Sequence, residues 1–516
     1  MDRMHKKSAL AGTSPLLLAA SDLGTPLAWD RYERQLPLCG FTSSGLNCRR
    51  CLQGPCRINP FGDEPSQGVC GADRDQIAME TLFQLTLEGV LETARAQALC
   101  GEGGGQEFPD IASDLPTETR QRLASAGLLP VRITDLFRVQ NAFFSHKGYL
   151  GETLRDLVRL SLIQHGLLSQ AAAAKQSGSA PGPEAQGLTI LMVGQAPAGL
   201  ACALEAAGQK AGGRAVSLFT QGSLSCPAGR PAADQGSPEL LLGMKVDAVL
   251  VAPNAAWPSL EGLASKYGIP VVLAKRGTSP EALAAEVVDL AAHRAQNAFY
   301  GSAAQAVQAA PADRLPEVPA LRAAALAGRV KGMVLLFGEA GVKQTFFERT
   351  LASMEAALSE QAVVLLGGEL AASAEALGAE LATRQGERLA AFAAALAGDG
   401  LRPIFPFGSA VGLPAAAALL SALSLPAAVA VPECYRASTW TGALGLVSLG
   451  FPVQIGARLP FWGSPWLART LPAELQTLTG GRLLAGPSQP EPRAQAEELA
   501  ACLRGAQGGR APRTAA

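Results

Sequence analysis

The sequence predicts an α/β protein in which a helical, metal-holding N-terminal domain precedes two Rossmann-like domains, each built on a parallel sheet. Three observations carry that expectation. Half of the ten cysteines, Cys39, Cys48, Cys51, Cys56 and Cys70, fall within one short stretch. The residues that follow, to about position 170, repeat apolar side chains every three or four positions, the period of amphipathic helices. From Leu188 onward, short β-branched runs alternate with Ala- and Leu-rich segments, as βαβ units do when helices cover both faces of a sheet.

The totals narrow the class. A chain of 516 residues exceeds one hydrophobic core, and 48% hydrophobic against 17% charged residues excludes a disordered chain. A net charge of -1, with no arginine-rich run interleaved with aromatics, gives no footprint for nucleic acid or an anionic membrane. Runs such as "AAAALLSALSLPAAVAV" are alanine-rich and broken by Ser and Pro, so no membrane span is expected. The start, "MDRMHKKSALAGTSPLLLAAS", has the basic end and short apolar patch of a leader, but Gly, Thr, Ser and Pro interrupt the patch. It is expected to dock on the fold as an arm. The thiols beyond it suit a reducing interior, hence a cytoplasmic protein.

The elements follow in order. Residues 1–170 form the helical domain: "QIAMETLFQLTLEGVLETARAQAL" and "TLRDLVRLSLIQHGLL" are its clearest helices, "CGEGGGQEFPD" breaks them, and 171–187 has a linker's composition. Residues 188–327 form the first α/β domain, with strands in "LTILMVG", "AVSLF", "DAVLVAP" and "IPVVLAK". Residues 328–504 form the second, with strands in "KGMVLLFGE", "QAVVLLGGE", "LRPIFPFGS", "PAAVAVPE" and "FPVQIGA"; a Gly/Arg/Pro-rich tail, 505–516, is expected to fray. Neither G-x-G-x-x-G nor G-x-x-x-x-G-K-[ST] occurs, so the strand-to-helix turns carry no nucleotide fingerprint.

The spacing Cys48-x2-Cys51-x4-Cys56-x13-Cys70 offers four thiolates, three of them close together in sequence. Such a loop can wrap a [4Fe–4S] cubane, whose four irons each take one terminal ligand. Zinc also takes four cysteines, but usually as two knuckle pairs, so spacing favours the cluster; disulfides come third.

The segment "WDRYERQLPLCGFTSSGLNCRRCLQGPCRINPFGDEPSQGVCGADRDQIAMETL" resembles the N-terminal region of the anaerobic nickel–iron–sulfur carbon monoxide dehydrogenases, of the hybrid-cluster/CO dehydrogenase superfamily. The likeness continues more faintly to "LTGGR", in a chain shorter than typical members. The resemblance implies a homodimer, or a heterodimer with a related subunit. It further implies a relay [4Fe–4S] cluster on Cys48, Cys51, Cys56 and Cys70, and a ferredoxin-type electron partner. A second cluster bridging the dimer would use Cys39 and the residue before the first relay ligand, which here is Asn47. An amide is a poor substitute for thiolate at iron. That cluster is therefore expected to be absent, labile or otherwise ligated, with a free Cys39 thiol as the plain alternative.

The family's nickel–iron–sulfur site would draw one His and five Cys from the two α/β domains. The matching positions hold Gln195, Phe219, Ala255, Gly368 or Glu369, Ala410 and Leu446. Only Glu369 could bind a metal, as a hard oxygen donor. No histidine lies between His5 and His146, where the family lines a proton path. A nickel cluster is thus predicted to be absent. Cys226 and Cys434, even beside Glu369 or Glu433, are expected to be buried thiols acting as small apolar side chains, and His146, His165 and His293 to be ordinary surface or core histidines. The expected function is electron transfer or redox sensing without CO oxidation. The alternatives are an active carbon monoxide dehydrogenase, and a non-redox scaffold or regulator that binds a small apolar ligand.

Overall fold

The computed structural model describes residues 7–61, 64–100, 111, 115–145, 150–174, 187–194, 199–221, 230–231, 237–252, 255, 257–275, 277–297, 315–408, 410–423, 425–486 and 491–507. The 505–516 tail lies largely outside them.

Two all-parallel sheets dominate. The first contains β3 (Leu188–Val193), β4 (Val216–Gln221), β5 (Arg230–Pro231), β6 (Ala248–Val251) and β7 (Val271–Leu273), in the order β5-β4-β3-β6-β7. The second contains β8 (Gly332–Gly338), β9 (Ala362–Gly368), β10 (Ile404–Pro406), β11 (Ala427–Val431), β12 (Pro452–Ile455) and β13 (Arg482–Ala485), in the order β10-β9-β8-β11-β12-β13. In each, strand order reverses once, between β3 and β6 and between β8 and β11. Such switch points leave a crevice at the strands' carboxyl ends. A short antiparallel hairpin, β1 (Asn47–Cys48) with β2 (Cys56–Arg57), lies in the cysteine loop.

The strands read as continuous apolar runs because both faces are covered. Every residue of β8 is buried. Alternate side chains enter different cores: Met333, Leu335 and Phe337 join one cluster, Val334 and Leu336 another. On the first face, helices α1 (Arg74–Cys100), α2 (Leu150–Ala174) and α4 (Ala437–Ser448) contribute Phe83, Leu157, Leu160 and Leu444. On the second, α3 (Glu348–Ser359) and α5 (Pro492–Gln507) contribute Leu351, Met354, Leu499 and Leu503. That second cluster also takes in Leu191, Phe219 and Val249 of the first sheet, and Leu10, Leu16 and Leu17 of the N-terminal arm. The helical region therefore shares its core with the second sheet rather than closing on itself.

Polar pins fix the helix packing. Trp440 Nε1 donates to Thr86 Oγ1 at 2.9 Å, and Gln164 Nε2 donates to Thr93 Oγ1 and to the Ser438 carbonyl, both at 2.9 Å. A Cβ on Gly89 would stand 2.2 Å from Thr441 Oγ1, so a glycine on α1 is what allows α4 this close.

The strands differ from the sequence expectation only at the margins. Four strands stand beyond the expected ones: β1 and β2 in the cysteine loop, β5, a two-residue edge strand, and β13, whose four residues bounded by glycines show no period to read. Among the described residues, no helix is long and apolar enough to cross a membrane.

Candidate metal centre

The cysteine loop stands on a small apolar base. Leu46, Ile58 and Ile77 are fully or almost fully buried and form their own cluster, against which Phe41, Cys48 and Ala72 pack. The β1–β2 hairpin places Cys48 directly opposite Cys56. Between them, the Gly54 amide donates to the Cys51 carbonyl at 3.2 Å, which folds the intervening residues back. A Cβ on Gly54 would come within 2.9 Å of the Cys56 nitrogen, so this turn requires glycine.

The fourth cysteine comes from the turn before α1. Gly68 donates to the Ala72 carbonyl at 2.8 Å, and Gly71 donates to Gly68 from a left-handed φ of 85°. This turn lies against the hairpin, since the Val69 amide donates to Cys56 Sγ at 3.4 Å. An N–H aimed at sulfur is the contact that an iron-bound thiolate accepts and that tunes a cluster's potential. Cys51 and Cys70 are exposed and Cys48 and Cys56 half-buried, so the loop offers thiols outward from a partly dry floor. Arg50 is ion-paired to Glu80 of α1, anchoring the hairpin to the helix.

Burial, foremost, pushes the Cys48 thiol up, with Glu80 and Cys56 adding to the rise. Loading a metal there must displace that proton. Cys39 differs: the Thr42 hydroxyl donates to its sulfur at 3.4 Å and holds the thiol below its usual range. Asn47 Nδ2 in turn donates to Thr42 Oγ1 at 3.0 Å. The two positions that resemblance assigns to a bridging cluster are thus linked through Thr42, with an amide where the second thiolate would stand.

Among the described residues, no group of three or more His, Cys, Asp or Glu side chains converges as a single bound ion requires. A cubane takes one thiolate at each of four separated corners. The donor set, the exposed thiols and the Val69 amide fit such a cluster.

The positions matched to the nickel site are filled by other chemistry. Phe219 and Leu446 are each 2% exposed and belong to the apolar cores. Ala255 packs between sheet residues. Gly368 ends β9 at a φ of 67°, where a Cβ would lie 3.1 Å from the Gly338 carbonyl oxygen. Glu369 is held by Arg436 at 2.7 Å. Ala410 begins a short 3-10 turn, Ala410–Gly412. Gln195, Cys226 and His146 lie outside the described residues. Cys434 is buried and its thiol is pushed well up by burial, so it stays protonated and inert. His165 is half-buried on α2 and His293 exposed on the helix Pro280–Asn297.

Sequence reasoning missed Glu339, which directly follows β8 and is 4% exposed; Glu433, two residues past β11 and 1% exposed, was weighed only as a neighbour of Cys434. A charged residue immediately after an all-apolar strand was the available signal.

Comparison with known proteins shows what the chain is similar to. Residues 46–99 match the Prismane/CO dehydrogenase family model. The chain is 50% identical over 88 residues to the carbon monoxide dehydrogenase of Rhodospirillum rubrum, and 49% identical over 82 residues to carbon monoxide dehydrogenase 2 of Carboxydothermus hydrogenoformans. These matches span 17% and 16% of this chain and only 14% and 13% of those relatives. The fold extends much further. A nickel-free carbon monoxide dehydrogenase from Thermococcus sp. AM4 superposes with a TM-score of 0.78 at 19% identity, over 98% of each chain. Carbon monoxide dehydrogenase IV from Carboxydothermus hydrogenoformans does so at 0.76 and 19%, over 96% of this chain and 98% of that one.

Proposed function

We propose that the chain, whose residues 46–99 match the Prismane/CO dehydrogenase family model, belongs to that family and is an iron–sulfur protein of electron transfer or redox sensing, carrying one relay [4Fe–4S] cluster and unable to oxidise CO itself. The observation that carries this reading is the contrast in donors. Soft ligands gather in the loop of Cys48, Cys51, Cys56 and Cys70, while the positions matched to the nickel site hold Gln195, Phe219, Ala255, Gly368 or Glu369, Ala410 and Leu446. When bound, a single cubane supplies one-electron exchange. The chain's own residues hold it at four thiolates, direct the Val69 N–H at Cys56 Sγ, and keep Cys48 partly out of water.

The surface around the loop supports a dimer. Five of the twelve exposed large hydrophobics among the described residues are Leu36, Leu38, Leu52, Phe61 and Val69, interleaved in sequence with Cys39, Cys51 and Cys70. Apolar side chains left in water next to a redox loop suit coverage by a second copy or a related subunit. The Cys39 thiols of two copies then lie near that contact, and a ferredoxin-type protein is the electron partner in this reading.

Anaerobic metal analysis with EPR of the reduced state tests the proposal. About four irons per chain, matching sulfide, no nickel and a single reduced-cluster signal are expected. Stoichiometric nickel together with CO-dependent reduction of a viologen dye would establish the active dehydrogenase instead. Iron-free protein that still folds would establish a non-redox scaffold.

A further inference from the structure

The face of α1 that supports the cysteine hairpin carries a charge as well as an apolar prop. Ile77 lies in the base under the hairpin, and Glu80 follows three residues later, so both stand on one face of the helix. α1 packs against β1, and Arg50, between Cys48 and Cys51 in the chain, forms an ion pair with Glu80 across that contact. Hairpin anchoring alone needs no charge. Ile77 already supplies apolar contact, and burying an ion pair costs desolvation that apolar packing does not.

Both side chains are largely out of water, Arg50 at 15% exposed and Glu80 at 16%. The neighbouring charges differ. Arg49, Arg57, Glu64 and Asp73 are exposed, where water and salt screen them, and Arg74 and Asp75 are half-buried at the start of α1, where Asp75 accepts a hydrogen bond from Ser464 Oγ at 2.6 Å. The Arg50–Glu80 pair is felt at the Cys48 sulfur: after burial, the largest cause, the Arg50 amide draws that thiol down and the Glu80 charge pushes it up. A poorly screened charge beside a ligand sulfur also acts on an electron added there. A cation favours the reduced state of a cluster, and an anion the oxidised one.

We propose, on the [4Fe–4S] reading given above, that Glu80 sets the relay's potential through Arg50: its carboxylate cancels the guanidinium fixed between two of the ligating thiolates and so keeps the bound cluster a strong reductant. Neither side chain is a ligand to iron. Their part is to fix the net charge beside Cys48, which decides how readily the site takes up an electron. A relay held low in this way matches ferredoxin-type carriers, which work in the same range.

Anaerobic redox titration of the iron-loaded full chain, followed by EPR of the reduced cluster and with iron counted for each variant, separates this role from plain anchoring. Glu80→Gln keeps the shape and removes the charge, so the ratio of reduced to oxidised cluster at a fixed solution potential should rise several-fold. Arg50→Gln removes the cation and keeps the anion, and the same ratio should fall. Glu80→Asp, which retains the charge, and the double variant Arg50→Gln/Glu80→Gln, which removes both charges, should stay close to the unmodified protein. A loosened hairpin would instead move both single variants in one direction. Where one single variant does not load iron, the sign of the other's shift decides. Unmoved ratios, shifts of one sign in both single variants, or loss of iron from both while the unmodified chain holds it would overturn the proposal and leave the iron–sulfur reading standing. An unmodified chain without iron would overturn both.

Discussion

The cysteine loop and the carboxyl rim of the second sheet have opposite designs. The loop sets soft, exposed thiols on a base of three buried side chains, whereas the rim sets hard carboxyls almost completely inside a core that spans both sheets. In the proposed reading, the loop's donors are left for an inorganic occupant. The rim's, on Glu339 and Glu433, accept hydrogen bonds from the protein's own amides and from the Thr439 hydroxyl. A fold that places ligands at the ends of its strands can thus retain its scaffold while the strand ends are rebuilt for a different purpose.

Three substitutions can break or sharpen that contrast. The largest effect belongs to Cys51→Ala. Removing an exposed thiol should take iron from about four per chain to near zero by metal analysis. The urea midpoint should correspond to a change within about 0.5 kcal/mol, as at other exposed positions. A large fall in stability would show that loop and core are coupled. Next is Gly367→Ala at the rim, where a Cβ would stand 2.0 Å from Phe407 Cζ. With Phe407 only 2% exposed, overpacking should cost about 1–3 kcal/mol in chemical denaturation and leave iron content unchanged. The smallest is Thr42→Ala. Losing the hydroxyl that donates to Cys39 should return that thiol toward its ordinary range and slow its alkylation near neutral pH, without altering iron content. Unchanged alkylation would mean that the hydrogen bond does not govern the sulfur.

Much of this contrast is present in the chain's own letters. The cysteine quartet is legible as a candidate because sulfur ligands that surround one object recur at short intervals, and "CRRCLQGPC" puts three of the four side by side. The main strands are legible because "GMVLLFG" and "AVVLLGG" are apolar throughout, as doubly covered strands must be. The hairpin is not, since two residues on each side carry no period and only the Cys48–Cys56 pairing reveals it. Nor is the rim. Glu339 and Glu433 each read as the polar end of a strand, and nothing local says that β8 and β11 become neighbours. The sharing of one core between the helical region and the second sheet is equally non-local, because amphipathic spacing in α1 shows that a face is buried but not against what.

The smallness of the apolar base beneath the cysteine hairpin has a practical consequence. Leu46, Ile58 and Ile77 form a satellite, separate from the clusters that span the sheets. Local opening of the loop can then melt a patch and leave the molecule folded, so this corner and the sheets answer to different amounts of free energy.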